Sequence, residues 1–202
     1  EEAREKVAQL IHAQSSEEII FTKGTTDSIN MLARSFGDAM VGEGDEIIVS
    51  QLEHHSNIVP WQMLCERKGA VLKVIPLRED LSLDIEAFKQ LLSEKTRLVS
   101  VAHVSNVLGI VNPMQDIIRI AHDRGVAVCV DGAQSVPHLA MDVQQLDCDF
   151  LVMSAHKRAP ISSAQLLVGP RWTEVVPPNI SHHYRWPSRL LLYTCEVLCF
   201  MC

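Results

Sequence analysis

Short apolar runs alternate with amphipathic segments along most of the chain. Runs rich in β-branched residues predict strands, and apolar positions at a spacing of three and four residues predict helices. The predicted strands are residues 18–22, 46–50, 70–75, 98–102, 126–130 and 149–153. The predicted helices cover 2–13, 29–36, 61–65, 85–92, 117–122 and 143–146. This alternation predicts an α/β fold with a mostly parallel sheet flanked by helices.

Chemically capable side chains follow the predicted strands at one end only. In open parallel sheets, ligands bind outside the carboxyl ends of the strands. The opposite ends carry mostly Gly, Asp, Glu and Arg of ordinary turn type. The one-sided distribution therefore indicates a site, and its candidate residues are Thr25, Thr26, His54, His55, Ser105, Asn106, Asp131, Gln134, Ser154, His156 and Lys157.

Lys157 lies just beyond the buried run that ends at Met153. Desolvation at such a position disfavours the ammonium form and lowers the pKa of a lysine. A neutral amine can form a Schiff base with an aldehyde such as that of pyridoxal phosphate. The alternative is a lysine that only marks the surface end of a strand.

The segment Gly24-Thr25-Thr26 lies between a predicted strand and a helix start. Gly allows close backbone approach, and free N–H groups at a helix start favour an anion such as phosphate. A plain helix N-cap is the alternative, because Thr serves there as well. Asp131, at the mouth of a buried strand, would keep a pyridine nitrogen protonated. It could equally begin a turn with Gly132.

The adjacent pair His54-His55 suggests either metal ligands or a flat ring for stacking. Neighbouring residues in an extended segment point apart, and a metal site would need a third ligand. The interpretation favoured here is that one histidine stacks on a planar cofactor.

Composition excludes several classes of function. The 202-residue chain has a net charge of −7 and lacks long basic runs, which argues against nucleic-acid partners. No apolar run is long enough to span a bilayer, and the charged start predicts no signal peptide. Cys65, Cys129 and Cys148 sit singly in apolar patterns, as reduced core thiols do.

Five segments occur in an order and at spacings typical of one enzyme family. They are residues 22–26, 51–61, 103–109, 130–134 and 154–157. From residue 1 to about 157 the chain closely resembles the SufS-type cysteine desulfurases. These belong to the class V aminotransferase group of fold-type I pyridoxal-phosphate enzymes.

The resemblance implies a role for each matching residue. Lys157 would bind the cofactor aldehyde and shuttle protons, and Asp131 would pair with the ring nitrogen. Gln134 would donate to the ring oxygen, and His54 would stack on the ring. Asn106 would contact the cofactor hydroxyl and the substrate carboxylate. The phosphate contacts would be Thr25, Thr26, Ser154 and His156.

The resemblance also implies the reaction and its partners. L-cysteine would be converted to L-alanine, and a catalytic cysteine would take the sulfur as a persulfide for iron–sulfur cluster assembly or other delivery. The family implies a homodimer, a sulfur-acceptor protein and a cytoplasmic location, or an organelle if a transit peptide has been lost. Selenocysteine lyase and other class V lyases share these strand-end residues, and a non-catalytic truncated product is a further alternative.

The resemblance ends after Lys157. The expected Gly-rich turn is replaced by Arg158–Ser163, although residues 165–169 preserve a strand pattern. We therefore expect an incomplete large domain at 1–169, a divergent and unfolded tail at 170–202, and no small C-terminal domain. An out-of-frame end explains this tail better than the alternative, a metal site made of His182, His183, Cys195, Cys199 and Cys202.

Overall fold

The computed structural model describes residues 2–154 and 164–169. The helices are α1 (Glu2–Ile11), α2 (Thr25–Arg34), α3 (Phe36–Met40), α4 (Val59–Lys68), α5 (Ile85–Leu91), α6 (Met114–His122) and α7 (Val143–Leu146). The strands are β1 (Ile19–Thr22), β2 (Glu46–Ser50), β3 (Val71–Ile75), β4 (Thr96–Ala102), β5 (Ala127–Asp131), β6 (Phe150–Ser154) and β7 (Ala164–Val168).

The described strands form one sheet in the order β1-β7-β6-β5-β4-β2-β3. Strands β2 to β6 pair in parallel, whereas β7 pairs antiparallel with both β6 and β1. Because β7 runs opposite to both neighbours, β1 points the same way as β6. The carboxyl ends of β1 to β6 therefore meet at one edge of the sheet, and the prediction of a mostly parallel sheet flanked by helices is confirmed.

Both faces of the sheet are buried at its central strands. In β5, Val128 and Val130 belong to one apolar cluster, and Ala127 and Cys129 belong to the other. Helices α1, α5 and α6 cover the first face, and α2, α3 and α4 cover the second. Two-sided burial explains why the strands are near-continuous apolar runs instead of alternating ones.

The predicted elements all occur, most of them with shifted ends. The strand predicted at 98–102 begins earlier, at Thr96. The helix predicted to run from Ile29 to Phe36 is two helices, because the backbone breaks at Ser35. The Ser35 hydroxyl donates to the Met31 carbonyl oxygen at 2.8 Å, and such a side-chain bond competes with helix continuation.

Candidate active site at the carboxyl edge of the sheet

The strand pairings place the ends of four strands side by side. Ala164 pairs with both Thr22 and Ser154, and Asp131 pairs with both Ala102 and Val152. Helix α2 also contacts β6 and the 3₁₀ turn at His55–Asn57. The segments that carry the predicted residues Thr25, His54, Asp131 and Ser154 therefore lie at the same edge.

Helix α2 begins at this edge directly after Gly24. Gly24 is extended, and a Cβ atom added there would meet nothing within 4 Å. The Thr25 hydroxyl is buried and has no hydrogen-bond partner among the described residues. The alternative of a Thr N-cap is wrong, because the N-cap is Gly24 and no side chain caps the helix. A buried hydroxyl costs free energy when it is unsatisfied, so this one favours a polar ligand at the helix start.

His54 is half-buried in the segment that follows β2. Its Nδ1 accepts from the Ser56 backbone N–H at 3.2 Å and contacts the Ser56 hydroxyl at 2.8 Å. Because Nδ1 accepts a backbone hydrogen bond, the neutral ring carries its proton on Nε2. The rings of His54 and His55 lie edge to face, with centroids 6.0 Å apart. Among the described residues, neither histidine belongs to a group of three or more His, Cys, Asp or Glu side chains that could hold a metal ion.

Asp131 is the last residue of β5 and is 5% exposed. Its Oδ1 accepts from the Ala133 backbone N–H at 2.9 Å, which agrees with the turn interpretation, and the site interpretation stays a prediction. The backbone after it is tightly packed, because a Cβ atom at Gly132 would lie 2.8 Å from Leu151. The carboxylate therefore sits on a rigid support.

The other predicted residues differ in how far they are enclosed. Ser154 is buried at the end of β6, Gln134 is half-buried, and Asn106 is exposed in the loop after β4. His156 and Lys157, like the tail histidines and cysteines, lie outside the described residues.

Sequence reasoning missed a polar network beneath His54. The Glu53 carboxylate accepts from the Ser50 hydroxyl, from Asn57 Nδ2 at 2.6 Å and from the Ala102 backbone N–H at 3.0 Å. The Asn57 Oδ1 in turn accepts from Trp61 Nε1 at 2.9 Å and from the Ser100 hydroxyl at 2.6 Å. Asn57, Trp61 and Ser100 are fully buried.

The Glu53 carboxyl group is enclosed although the residue as a whole is partly exposed. Burial raises its pKa to about 7, against the hydrogen bonds from Ser50, Ala102 and Asn57, and the negative charge of Asp131 raises it further. The sequence did contain a signal for this network, because Ser50 and Asn57, two small polar residues, lie at positions i−3 and i+4 of Glu53. Sequence periodicity cannot show that all three face inward.

A cavity of about 330 Å³ lies beside the loop after β4. His103 Nδ1 and Asn112 Oδ1, from two lining residues, are buried without a hydrogen-bond partner among the described residues. Burial lowers the pKa of His103, which favours the neutral imidazole. Both atoms can accept a hydrogen bond from a small donor such as water.

The residues that the structure describes contain no helix long and apolar enough to cross a membrane. They also contain no group of three or more His, Cys, Asp or Glu side chains arranged to hold a metal ion.

Comparison with known proteins identifies the family. The aminotransferase class-V family model matches residues 1–161. A probable cysteine desulfurase of Halalkalibacterium halodurans is 51% identical over 171 residues, which is 85% of this chain and 42% of that protein. A cysteine desulfurase of Shigella sonnei is 51% identical over 179 residues, which is 88% of this chain and 44% of that protein.

The fold agrees with these sequence matches. The crystal structure of the cysteine desulfurase CsdA from Escherichia coli superposes with a TM-score of 0.83 and 40% identity, covering 86% of this chain and 44% of that one. The chain therefore spans less than half the length of the relatives it matches.

Proposed function

Since the chain belongs to the aminotransferase class-V family, we propose that it is the cofactor-binding part of a pyridoxal-phosphate-dependent cysteine desulfurase. The relatives at about 50% identity carry that activity in their names. One observation in the fold carries the proposal. At the carboxyl edge of the sheet lie both a helix start, where the Thr25 hydroxyl has no partner among the described residues, and the buried Asp131 carboxylate at the end of β5.

The residues at this edge fit the cofactor. Its phosphate suits the start of α2, where Gly24 leaves open space and the Thr25 hydroxyl lacks a partner among the described residues. Its ring nitrogen suits Asp131, because a buried carboxylate favours the protonated form of a nitrogen beside it. When bound, the cofactor supplies an electron sink for the substrate α-carbon.

The remaining roles are those that the family resemblance implies. His54 provides a flat ring next to β2, and its Nε2–H can donate to a ligand. Thr26, Ser154 and His156 complete the phosphate contacts, and Gln134 donates to the ring oxygen. Asn106 binds the substrate carboxylate from the exposed loop, and Lys157 holds the cofactor aldehyde and moves the α-proton.

The whole protein would convert L-cysteine to L-alanine and pass the sulfur to an acceptor protein. Sulfur release needs a thiolate held within attack distance of the substrate sulfur. Cys65, Cys129 and Cys148 are buried, and burial raises the pKa of Cys65 to about 11 and that of Cys129 still further. We therefore assign the sulfur-accepting thiol to none of these three cysteines. We also propose, from the family resemblance, that the active protein is a homodimer.

The test is covalent trapping of the cofactor. Pyridoxal phosphate added to the full chain should produce a visible absorption band, and borohydride reduction should leave a phosphopyridoxyl group on the peptide that contains Lys157. Lys157→Ala should lose both signals. The control Lys89→Ala, which alters an exposed lysine of α5, should keep both. Labelling of Lys89 or equal labelling of many lysines would refute the assignment.

A further inference from the structure

Glu53 lies at the candidate active site, but the proposed function assigns no role to it. It immediately precedes His54, and its carboxylate is enclosed beneath that histidine's segment. Among the described residues, the donors to its carboxylate are a hydroxyl, an amide and a backbone N–H, and none of them is a cation. An enclosed carboxylate held in this way is costly, so its presence needs an explanation.

The contacts of Glu53 join two strands of the site. Ser50 ends β2, and Ala102 ends β4, so the carboxylate bridges the two strand ends. Asn57 makes a second link, because it binds both Glu53 and the Ser100 hydroxyl of β4. The segment from Ser50 to Asn57 is therefore fastened to β4 at two points, and His54 lies between them.

The same strand end leads directly to Asp131. Ala102 pairs with Asp131 across β4 and β5, and the His103 backbone N–H donates to the Asp131 carbonyl oxygen at 2.9 Å. The Glu53 carboxylate thus connects the segment that carries the stacking ring to the strand pair that carries the ring-nitrogen partner.

We propose that Glu53 is a positioning residue, which holds the His54 segment against the end of β4 so that His54 and Asp131 keep a fixed relation to one cofactor ring. This role rests on the proposed function. It also has an electrostatic part, because Glu53 adds a second negative charge close to the carboxylate that faces the ring nitrogen. An ionised Glu53 then favours the protonated ring.

Titratable groups from several elements surround Glu53. Asp131 of β5 raises its pKa, and Glu53 in turn contributes to the raised pKa of the Cys129 thiol on the same strand. His54 flanks it in sequence, and His103 follows β4 with a pKa lowered by burial. A cationic ring nitrogen beside Asp131 would lower the pKa of Glu53, so by linkage an ionised Glu53 strengthens cofactor binding.

The test compares Glu53→Gln with the unchanged full chain across pH. Gln is the neutral counterpart of protonated Glu, so both proteins should bind pyridoxal phosphate equally at pH values well below 7. Above that pH the unchanged protein should bind about tenfold more tightly than the variant, which is one step of 1.4 kcal/mol. The readouts are the dissociation constant and the visible band of the bound cofactor.

Two further variants separate positioning from structural support. Ser50→Ala removes one donor to the ionised carboxylate, which raises the pKa of Glu53, so the midpoint of the binding profile should move to higher pH. Glu46→Gln is the control, because Glu46 is also held by two hydroxyls but lies at the opposite end of β2. It should leave the pH profile of cofactor binding unchanged.

The outcomes distinguish this inference from the proposed function. If the unchanged protein shows no cofactor band that depends on Lys157, the proposed function fails, and the role of Glu53 fails with it. If that band is present but Glu53→Gln weakens binding equally at every pH, or not at all, Glu53 is only a structural residue and the inference is overturned.

Discussion

The two edges of the sheet hold their carboxylates in opposite ways. At the amino edge, Asp45, Glu46 and Asp149 each contact a basic side chain, respectively Arg97, Lys73 and His122. At the carboxyl edge, Glu53 is held by neutral donors and faces the negative charge of Asp131. At the amino edge, basic side chains of the protein offset the carboxylates. At the carboxyl edge, negative charge remains where the proposed cofactor would bring its positively charged ring nitrogen.

The pKa values follow this difference. Burial is the largest single influence on Asp45 and Glu46 and disfavours their ionised forms, but the hydrogen bonds and positive charges around them, led by Arg97 at Asp45 and Lys73 at Glu46, together outweigh it and lower their pKa values. At Glu53 burial wins and the pKa rises to about 7. Perturbation by burial plus a like charge is typical of functional sites, whereas matched ion pairs are typical of structural support.

The largest effect should come from removing the centre of the carboxyl-edge network. Asn57→Ala would deprive the buried Trp61 Nε1–H and the Ser100 hydroxyl of their acceptor. Each unsatisfied buried donor costs about 1–3 kcal/mol, so we expect a loss of about 4 kcal/mol in the free energy of unfolding. Urea denaturation measures it. A loss below about 1 kcal/mol would show that water satisfies both groups.

The next effect concerns the pH dependence of stability. The pKa of Glu53 is raised from 4.5 to about 7 in the folded state, so its stabilising contribution is present below about 4.5 and is lost as pH rises through about 7. Between pH 4.5 and about 7, this loss in the free energy of unfolding approaches about 3 kcal/mol. Glu53→Gln should therefore gain stability relative to the unchanged protein as pH rises.

The amino edge provides the opposite sign for comparison. The pKa of Glu46 is lowered, so its contribution is present above its unfolded pKa and is lost as pH falls through the folded value. Glu46→Gln should therefore lose stability relative to the unchanged protein as pH rises. Thermal denaturation between pH 4 and 8 measures both variants, and parallel curves for the two would break the comparison.

The third effect tests the function of the carboxyl edge. Asp131→Asn removes the charge opposite the proposed ring nitrogen, and α-proton exchange of a bound amino acid in deuterated buffer should slow about 10²-fold, the size of one preorganised electrostatic contact. Asp149→Asn is the matched control at the amino edge, where the carboxylate accepts from the Val128 N–H. It should lower stability and leave exchange in the folded protein unchanged. Equal exchange in both variants would remove Asp131 from the mechanism.

The smallest effect should come from a surface ion pair of the amino edge. Arg97 is 43% exposed where it contacts Asp45, and exposed pairs contribute less than about 1 kcal/mol. Arg97→Gln should therefore change the free energy of unfolding by only a few tenths of a kcal/mol. A loss larger than about 2 kcal/mol would show that the amino edge depends on its ion pairs far more than this comparison assumes.

The sequence by itself determined the alternation of strands and helices and the edge at which the polar residues gather. Both are local properties, because apolar runs and the residues that follow them can be read over a few positions. The short helix α7 was predicted with its observed bounds, and Asp131 was placed correctly at the mouth of β5.

Only the tertiary structure decided the order of the strands and the burial of the Glu53 carboxyl group. Strand β7 enters antiparallel between β1 and β6, which brings Thr22 and Ser154 onto the same residue, Ala164. The enclosed carboxyl group of Glu53 accepts a hydrogen bond from the backbone N–H of Ala102, which is far away along the chain. Periodicity over a few residues carries no information about such long-range contacts, and these contacts set the electrostatics of the site.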